Sequence, residues 1–423
     1  MVSTIRWSPR PTSTAVRSEA ASFAPADFFP ALRTRLLILQ PTPFCNLDCD
    51  YCYLPQRDAK ARMSLETVRK AARRLVDDGL AGAELTVVWH AGEPLTVPPS
   101  FYDEAIPLIA DVLGASCAVS HSIQTNATLI DDAWCRLFTR HGVRIGISVD
   151  GPAWLHDRHR RTRRGQTTHQ RVVQGMARLR EHGIPYHAIA VVTAETLGHA
   201  DAFCDFFLAQ GIHEVGCNFD EAEGVNDRSS LADHEPPHAR FVERLLARSI
   251  ESGGSLRFRE LEMAMHLIAE PLASYRWRGR ELPDNAQTLP FALITVAHNG
   301  DFTTFSPELL GQPSPEYGDF VLGNVHADSF LDSARHQHFV DLWTAIRRGT
   351  GMCEASCAYF GFCGGGAPAN KLYENGDLAS AETLYCRTML KRPFDAVLAR
   401  LERDAAGDRK DSCTALAEME GMP

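Results

Sequence analysis

The sequence lacks the features that mark exported, membrane-spanning or nucleic-acid-binding proteins. No apolar run reaches the roughly 18 residues of a membrane-spanning helix, and the N-terminus lacks the basic start and apolar core of a signal peptide. Acidic residues outnumber basic ones, 53 to 43, and the net charge of -10 gives no general attraction to nucleic acid or anionic membranes. These absences predict a cytoplasmic protein that binds neither nucleic acid nor membranes.

A disulfide framework is also not expected, although the chain has 12 cysteines. Reducing compartments keep thiols free, so cysteines that cluster in such a chain indicate metal or redox chemistry. Seven of them fall into two groups, Cys45, Cys49 and Cys52 in the first and Cys353, Cys357, Cys363 and Cys386 in the second. The other five are scattered, and we interpret them as small core hydrophobes.

Hydrophobic periodicity divides the 423 residues into five segments. We expect a disordered arm at 1–33, rich in Ser, Thr, Pro and Ala, and a core of alternating strands and helices at 34–224. A connecting region follows at 225–289, then a smaller domain at 290–396 and a charged tail at 397–423. The core alternates short β-branched runs with segments of helical period, such as the one that begins at a possible N-cap, Ser64.

Six short apolar runs in the core are predicted strands: Leu36–Leu39, Leu85–Val88, Ala118–Ile123, Ile145–Val149, Ala188–Val192 and Val215–Phe219. Alternation with helices predicts an α/β fold with a parallel sheet and right-handed crossovers, either open or a partial barrel. Active sites of such folds lie where the strands end. Unusual polar residues follow the predicted strands, which places the site at that edge.

The first cysteine group has the spacing C-x3-C-x2-C on one loop. Three thiolates that share a 4Fe-4S cluster leave one iron without a protein ligand, and that iron can bind a small molecule. The alternative is a zinc site that takes a fourth ligand such as His90.

The segment CNLDCDYC, with Tyr51 before its last cysteine, resembles the radical S-adenosylmethionine (SAM) superfamily. The resemblance implies a partial (β/α)6 TIM-like barrel, and a [4Fe-4S] cluster whose open iron is chelated by the amino and carboxylate groups of SAM. Reductive cleavage of SAM then gives a 5'-deoxyadenosyl radical. A reduced donor such as flavodoxin or ferredoxin is the implied electron source.

Further segments extend the resemblance across residues 35 to 220. HAGEP looks like the family's GGE segment, with Ala91 in place of its first glycine, and an arginine that pairs with the SAM carboxylate matches Arg160. A bidentate pair suits that role. The implied cofactor contacts are Tyr51, Gly92, Glu93, Asn126, Ser148 and Arg160. Ordinary turn, cap and surface roles remain open, as does the role of the basic segment 156–171, either a surface loop or a lip that guides an anionic partner.

The second cysteine group can form a closed site of four thiolates, for which zinc and a fully ligated iron-sulfur cluster both fit the spacing. Downstream of a radical SAM core the segment resembles the SPASM domain, which carries auxiliary 4Fe-4S clusters. This chain departs from the full pattern, because His298 and Phe305 lie near positions where cysteines are usual and Ala367 occupies another. We therefore predict one auxiliary [4Fe-4S] cluster.

QPTPFCNLDCDYCYLP, FTTFSPELLG, CGGGAPANKLYENG and ETLYCR look like cyclophane-forming SPASM peptide maturases of the Grr type. Such enzymes act on a ribosomally synthesised precursor peptide and join an aromatic ring carbon to a nearby Cβ. In sulfatase-maturating relatives an aspartate follows one auxiliary cysteine, and Ser306 stands at that position here. Asp301, Glu308 and His298 remain weak candidates for the base. The alternatives are another SPASM product, such as a thioether or a formylglycine, and a zinc-binding scaffold without catalysis.

Overall fold

The structure, a computed structural model, describes residues 23–270 and 272–420. The strands are β1 Phe28–Phe29, β2 Thr34–Leu39, β3 Ala81–Trp89, β4 Ala118–Thr125, β5 Arg144–Ser148, β6 Tyr186–Val192, β7 Glu214–Phe219, β8 Arg257–Phe258, β9 Ser274–Trp277, β10 Arg280–Pro283, β11 Leu293–Val296, β12 Asp301–Thr304 and β13 Gly323–Asn324.

The helices are α1 Leu65–Asp77, α2 Pro99–Leu113, α3 Asp132–His141, α4 Ala153–His159, α5 His169–Glu181, α6 Ala200–Ala209, α7 Glu235–Glu251, α8 Arg259–Ala269, α9 Phe330–Ser333, α10 Gln337–Ser356, α11 Phe360–Cys363, α12 Pro368–Asn375 and α13 Arg392–Glu420. A π-helical turn, Cys386–Lys391, precedes α13. Within the described part of the chain, no helix combines the length and apolarity needed to cross a membrane.

Ten strands form one sheet in the order β13-β12-β11-β2-β3-β4-β5-β6-β7-β8. All neighbours from β11 to β8 are parallel, and β12 is antiparallel to both β11 and β13. The six predicted strands are β2 to β7, so the predicted α/β fold with a parallel sheet is confirmed. Their carboxyl ends share one edge, as the parallel pairing requires.

Local capping explains where the first core helices begin. The Ser64 hydroxyl accepts a hydrogen bond from the Thr67 amide at 3.0 Å and starts α1. Asp131 caps α3 in the same way, accepting from the Trp134 amide at 3.0 Å, and Gly142 ends that helix in the left-handed conformation. Side-chain acceptors satisfy amides that have no partner within the helix, so the sequence fixes these boundaries locally.

The two faces of the central sheet differ in polarity. Side chains such as Leu37, Val87 and Ile147 are fully buried against the helices and form the core. The opposite face carries polar side chains near the carboxyl edge, where the Gln124 side-chain amide donates to the Ser148 hydroxyl at 3.0 Å. Four of the scattered cysteines, Cys117, Cys135, Cys204 and Cys217, are buried as predicted, whereas no side chain is described for Cys413.

The N-terminal segment differs from its prediction. Residues 1–22 of the predicted disordered arm lie outside the described residues, but residues 23–33 are ordered. Strand β1 pairs with β9, which also pairs with β10 to give a small antiparallel sheet. Phe28 and Leu32 are both buried. The arm was predicted to be disordered because its average hydrophobicity is low. Phe28 and Leu32 nevertheless order its end, because they pack against residues distant in the sequence.

The region after residue 290 continues the sheet of the core. Leu293 pairs with Leu36 and Val296 with Leu39, so β11 extends the parallel sheet next to the strand that leads into the first cysteine loop. The Thr34 hydroxyl donates to the Phe291 carbonyl at 2.8 Å. The two cysteine-bearing regions are therefore joined through backbone hydrogen bonds.

Candidate functional site

The first three cysteines lie on the loop between β2 and α1, at the carboxyl edge of the sheet. Gly92 packs directly beneath this loop. A Cβ on Gly92 would lie 2.5 Å from the Thr42 carbonyl oxygen and 2.6 Å from that of Phe44, and its φ is +56°. Only glycine fits this close approach without strain, which gives a physical reason for the glycine in HAGEP.

The basic segment 156–171 holds the same loop in place. The Asp48 amide donates to the Arg161 carbonyl at 2.8 Å, and Leu47 pairs with Thr162 in an isolated bridge. The Arg163 guanidinium donates to the Cys45 carbonyl at 2.9 Å. Part of the charge and backbone of this segment therefore fixes the cysteine loop, while Arg161 and Arg164 remain exposed, as expected of a surface loop.

Two of the three thiols, Cys45 and Cys49, lie in an environment that disfavours uncompensated thiolates. Burial raises the pKa of Cys45 to about 12, with Glu93 adding to the effect, and burial beside Cys52 raises the pKa of Cys49 to about 12. Cluster iron supplies the positive charge that a set of thiolates needs, so the donor set fits such a group. Among the described residues, no three His, Cys, Asp or Glu side chains are arranged to hold a single metal ion.

A buried ion pair lies beside the last two cysteines of the loop. Arg160 donates to both carboxylate oxygens of Asp150, at 2.8 and 3.0 Å, and the Tyr51 hydroxyl donates to the same carboxylate at 2.5 Å. The Arg160 guanidinium also stacks 5.4 Å from the centre of the Tyr51 ring. Burial opposes ionisation of Asp150, but Arg160 outweighs it and lowers the pKa of that carboxyl. Two of the predicted cofactor contacts thus meet on Asp150.

Glu93, another predicted contact, binds protein groups. Its carboxylate accepts from the Thr125 hydroxyl at 2.7 Å, the Asn126 amide at 2.8 Å and the Leu95 amide at 3.0 Å. Burial raises the pKa of Glu93 to about 6. The bonds tie the loop after β3 to the end of β4, so Glu93 positions the site whether or not it touches a cofactor.

Asn126 and Ser148 occupy the ends of β4 and β5. The Asn126 side-chain amide donates to the Asn46 side chain at 2.8 Å and lies 3.9 Å from the Cys45 sulfur. The Ser148 hydroxyl accepts from Gln124, as described above. Both residues therefore face the carboxyl edge that carries the cysteine loop.

A cavity of about 430 Å³ opens beside the cysteine loop. Tyr51 and His159 form one wall, and the ends of β6 and β7 contribute Thr193 and Asp220 to the other. The volume suits a nucleoside-sized ligand, because ligand pockets are typically a few hundred Å³.

The four cysteines of the second group also converge. Cys353, Cys357, Cys363 and Cys386 all line one cavity of about 190 Å³. They come from the end of α10, the short α11 and the start of the π-helical turn, so long-range packing assembles the set. Burial raises the pKa of Cys363 to about 11, with Cys386 adding to the effect. This donor set, like the first, fits a group that carries positive charge.

Three glycines shape the wall of the 190 Å³ cavity. Gly364, Gly365 and Gly366 all have positive φ, and a Cβ on Gly365 would lie 2.9 Å from Thr350. The Asn285 side-chain amide donates to the carbonyls of Cys363 and Gly366, both at 2.8 Å. The CGGG segment is therefore a tight turn that the Asn285 side chain holds in place.

Two substituted positions of the SPASM pattern have structural roles here. Phe305 is fully buried and stacks on Trp343 at 6.0 Å and Phe339 at 6.1 Å between ring centres. Ser306, where the sequence resemblance implies an aspartate, is also fully buried, and its hydroxyl accepts from the Ala369 amide at 3.2 Å. Phe305 therefore packs in an aromatic core, and Ser306 bonds to the backbone at the start of α12.

Three glutamates, Glu221, Glu223 and Glu308, form what we call the acidic cluster. Burial raises the pKa of all three carboxyl groups, and the charge of Glu308 raises the pKa of the other two. No basic side chain lies within ion-pair distance of them in the described residues. Such groups take up and release protons near neutral pH more readily than exposed glutamates.

The acidic cluster lies between the two cysteine groups. The Val225 amide donates to the Tyr53 carbonyl at 3.2 Å, which places this loop against the residue after Cys52. Burial, then Glu308 and Glu223, raises the pKa of Tyr53. On the other side, burial and then Glu221 raise the pKa of Tyr385, the residue before Cys386.

The three base candidates separate in the structure. Asp301 is the first residue of β12, next to the hairpin turn, and its carboxylate accepts from the side-chain amides of Asn299 at 2.6 Å and Asn324 at 2.8 Å. His298 is half-buried on the same turn, and burial lowers its pKa. Only Glu308 joins the acidic cluster.

Several residues of the site were not predicted from the sequence. Asp150 follows β5 by two positions, and a charged residue beside the predicted Ser148 was an available signal. Glu221 and Glu223 lie just after β7, at the end of the predicted core, and only the rule that sites follow strands could have indicated them.

Comparison with known proteins gives one family and several relatives. The model of the Radical SAM superfamily matches residues 39–207. An uncharacterised protein of Synechocystis is 38% identical over 376 residues, which cover 87% of this chain and 92% of that protein. The serine-type anaerobic sulfatase-maturating enzyme of Klebsiella aerogenes is 39% identical over 178 residues, but these cover 41% of this chain and only 44% of that enzyme.

Two solved structures share the fold. Native anSMEcpe with bound AdoMet superposes with a TM-score of 0.70 at 18% identity, covering 88% of this chain and 99% of that one. Streptococcus suis SuiB bound to its precursor peptide SuiA gives a TM-score of 0.59 at 16% identity, covering 84% and 76%. At these identities the likeness concerns the fold alone.

Proposed function

The chain belongs to the radical SAM superfamily, and we propose that it modifies a ribosomally made precursor peptide by joining a Cβ to an aromatic ring carbon. Iron-sulfur clusters and SAM are its cofactors, and when bound they supply the 5'-deoxyadenosyl radical that removes a hydrogen atom from the peptide. The observation that carries the proposal is the placement of the acidic cluster between two cysteine groups, since its loop bonds to Tyr53 after Cys52 and Asn370 of α12 donates to Glu221 at 2.6 Å.

Each cofactor has a set of residues suited to hold it. Cys45, Cys49 and Cys52 would hold the SAM-binding cluster, and the 430 Å³ cavity beside Tyr51 would take the nucleoside of SAM. Asp150 orients Arg160 through two hydrogen bonds and leaves Arg160 the polar edge that faces away from Asp150. The four cysteines of the 190 Å³ cavity would hold the auxiliary cluster.

The overall change on the peptide is the loss of two hydrogen atoms and the gain of one carbon-carbon bond. One hydrogen leaves as an atom to the 5'-deoxyadenosyl radical, and the carbon radical bonds to the ring. The second leaves the ring as a proton and an electron. We assign the proton to Glu308 in the acidic cluster, and an auxiliary cluster held by the four cysteines would supply the electron acceptor.

Crosslinking is favoured over sulfatase maturation by Ser306. In sulfatase-maturating relatives the matching position holds an aspartate, and here the buried hydroxyl binds the backbone of α12 and Gln287. The packing of Phe305 further supports a single auxiliary cluster, because the aromatic stack fills the space around that position.

The test is an anaerobic reaction of the reconstituted enzyme with SAM, a reductant and a candidate peptide. The candidates are aromatic-containing short peptides encoded beside the gene, and a sulfatase peptide serves as the comparison. A crosslinked product lighter by two hydrogen atoms, located by tandem mass spectrometry on a Cβ and a ring, supports the proposal. Conversion of the sulfatase peptide to formylglycine, with no crosslink in any candidate, refutes it.

A further inference from the structure

A buried lysine contacts the second group of cysteines. Lys371, on α12, is 3% exposed, and its ammonium group donates to the Cys353 sulfur at 3.4 Å. Gly349 on α10 makes room for it, since a Cβ there would lie 3.1 Å from the Lys371 nitrogen and 2.3 Å from the Leu378 carbonyl. The contact is thus built by two helices packed closely together.

The ammonium group of Lys371 has no carboxylate partner within ion-pair distance among the described residues. An uncompensated buried charge costs several kcal/mol, so burial of lysine requires negative charge nearby. The sulfur of Cys353 is the group that the ammonium contacts. Lys371 therefore marks the 190 Å³ cavity as the place of an anionic centre.

We propose that Lys371 is a positioning residue that raises the reduction potential of the auxiliary cluster, through its charge and its N–H···S hydrogen bond to Cys353. Hydrogen bonds to the sulfurs and nearby positive charge stabilise the reduced state, which carries one more negative charge. The inference rests on the proposed function for its purpose, since the cluster there takes up the electron released with the ring proton.

The electron count is balanced. SAM cleavage consumes one electron from the reduced SAM-binding cluster, and formation of the crosslink returns one electron from the ring radical. An auxiliary cluster that is easily reduced accepts that electron, whereas a lower potential makes the last step unfavourable. The contact of Lys371 thus bears on product formation and leaves SAM cleavage unchanged.

The experiment is a potentiometric titration followed by electron paramagnetic resonance. The full chain carries Cys45→Ser, Cys49→Ser and Cys52→Ser, so that only the auxiliary cluster, about four irons, remains. Lys371→Met is compared with Lys391→Met. Lys391 lines the same cavity, but it pairs with Glu382 at 2.5 Å and is a control for loss of charge without loss of a sulfur contact.

We expect Lys371→Met to lower the reduced-to-oxidised ratio at fixed potential at least ten-fold, about 59 mV for one electron, and Lys391→Met to change it less than three-fold. Equal shifts in the two variants overturn the proposal, as does a parent that binds no iron. Should Lys371→Met lose its iron, Lys371→Gln, which keeps an N–H donor without the charge, replaces it, and a potential equal to the parent's also overturns the proposal.

Because no peptide is present, the titration is independent of the proposed function. A shift in Lys371→Met without any crosslinking by the native enzyme refutes the function and leaves this inference standing. Crosslinking without the shift refutes this inference alone.

Discussion

At the scale of single residues, the backbone under the first cysteine loop limits which side chains are allowed. Ala91 has a φ of 70°, in the left-handed region, although it carries a Cβ. The neighbouring Gly92 also has a positive φ and touches the loop above it. Ala91 therefore stores strain at this position, because its Cβ is crowded in the left-handed conformation.

We expect Ala91→Gly to raise the free energy of unfolding by about 1 kcal/mol, because the left-handed conformation no longer crowds a Cβ. Urea unfolding of the loaded protein under anaerobic conditions measures the change. Gly92→Ala is the counterpart, and it should lose more than 2 kcal/mol and part of its iron, because its Cβ overlaps two carbonyl oxygens. Similar stabilities for the two variants contradict this account.

Glu308 offers a second prediction for a single residue. Burial raises its pKa, so the neutral carboxyl persists to higher pH than in an exposed glutamate and the basic form appears as the pH rises toward neutrality. Crosslinked product should increase over that range in the native enzyme. Glu308→Gln should lower its rate at least ~100-fold while SAM cleavage continues.

Glu316→Gln is the control for Glu308→Gln, because Glu316 is an exposed carboxylate on the following turn. The raised pKa of Glu308 also makes the stability of the folded protein depend on pH. A group that is protonated more easily when folded stabilises the fold at low pH, and that contribution is lost as the pH rises through its folded pKa. Glu308→Gln should thus gain stability over the native chain at pH 8 relative to pH 5, on the order of 1 kcal/mol.

Sequence reasoning reached some of these residues and not others, for physical reasons. Cys45, Cys49 and Cys52 lie within eight positions, so their convergence is a local property that spacing reveals. Lys371 meets Cys353 only because α12 packs against α10. No short-range pattern encodes such a contact. The acidic cluster could not be predicted for the same reason, because Glu308 is distant in the sequence from Glu221 and Glu223.

At the scale of elements, the short strand β1 decides whether the N-terminal segment is ordered. Alternation along two residues places Phe28 inside, 5% exposed, and Phe29 outside, 63% exposed. Phe28 contacts Tyr275 and Trp343, with ring centres 6.2 and 6.3 Å apart. The Phe28 side chain therefore packs the N-terminal segment against the small sheet and against α10.

Phe28→Ala should destabilise the protein by about 3–5 kcal/mol, since it removes a fully packed aromatic side chain and leaves a cavity. Phe29→Ala is matched in size and neighbours it on the same strand, and it should stay within ~0.5 kcal/mol of the native chain. Chemical unfolding of both variants provides the comparison. Equal losses would mean that the segment is not held through Phe28.

The elements themselves were mostly predictable. The six core strands and the start of α1 at Ser64 follow from periodicity and capping, which act over a few residues. The pairing of β11 with β2 joins positions more than 250 residues apart, and no local signal specifies it. The predicted boundary near residue 290 marks a change in composition, but the sheet continues across it.

At the scale of the whole molecule, the two cysteine groups should have separable roles. Cys49→Ala is expected to abolish SAM cleavage, because the first cluster loses a ligand beside its open iron. Cys386→Ala should keep some cleavage and yield no crosslinked product. Chromatography of 5'-deoxyadenosine, with mass spectrometry of the peptide, measures both.

Iron content is the control for this pair. The native protein should hold about eight irons and each variant about half of that. Cys204→Ala, at a buried cysteine far from either group in sequence, should leave the iron content unchanged. Undiminished SAM turnover in Cys49→Ala would contradict the assignment of the first cluster.

The continuous sheet also limits how the two regions can move. Rotation of the two regions about residue 290 would break the ladder between β11 and β2 and pull Phe291 away from Thr34. The regions on either side of residue 290 therefore cannot move as separate halves about this seam without breaking main-chain hydrogen bonds. If a protease cleaved the chain near residue 290, the two fragments would remain associated through the hydrogen bonds between β2 and β11.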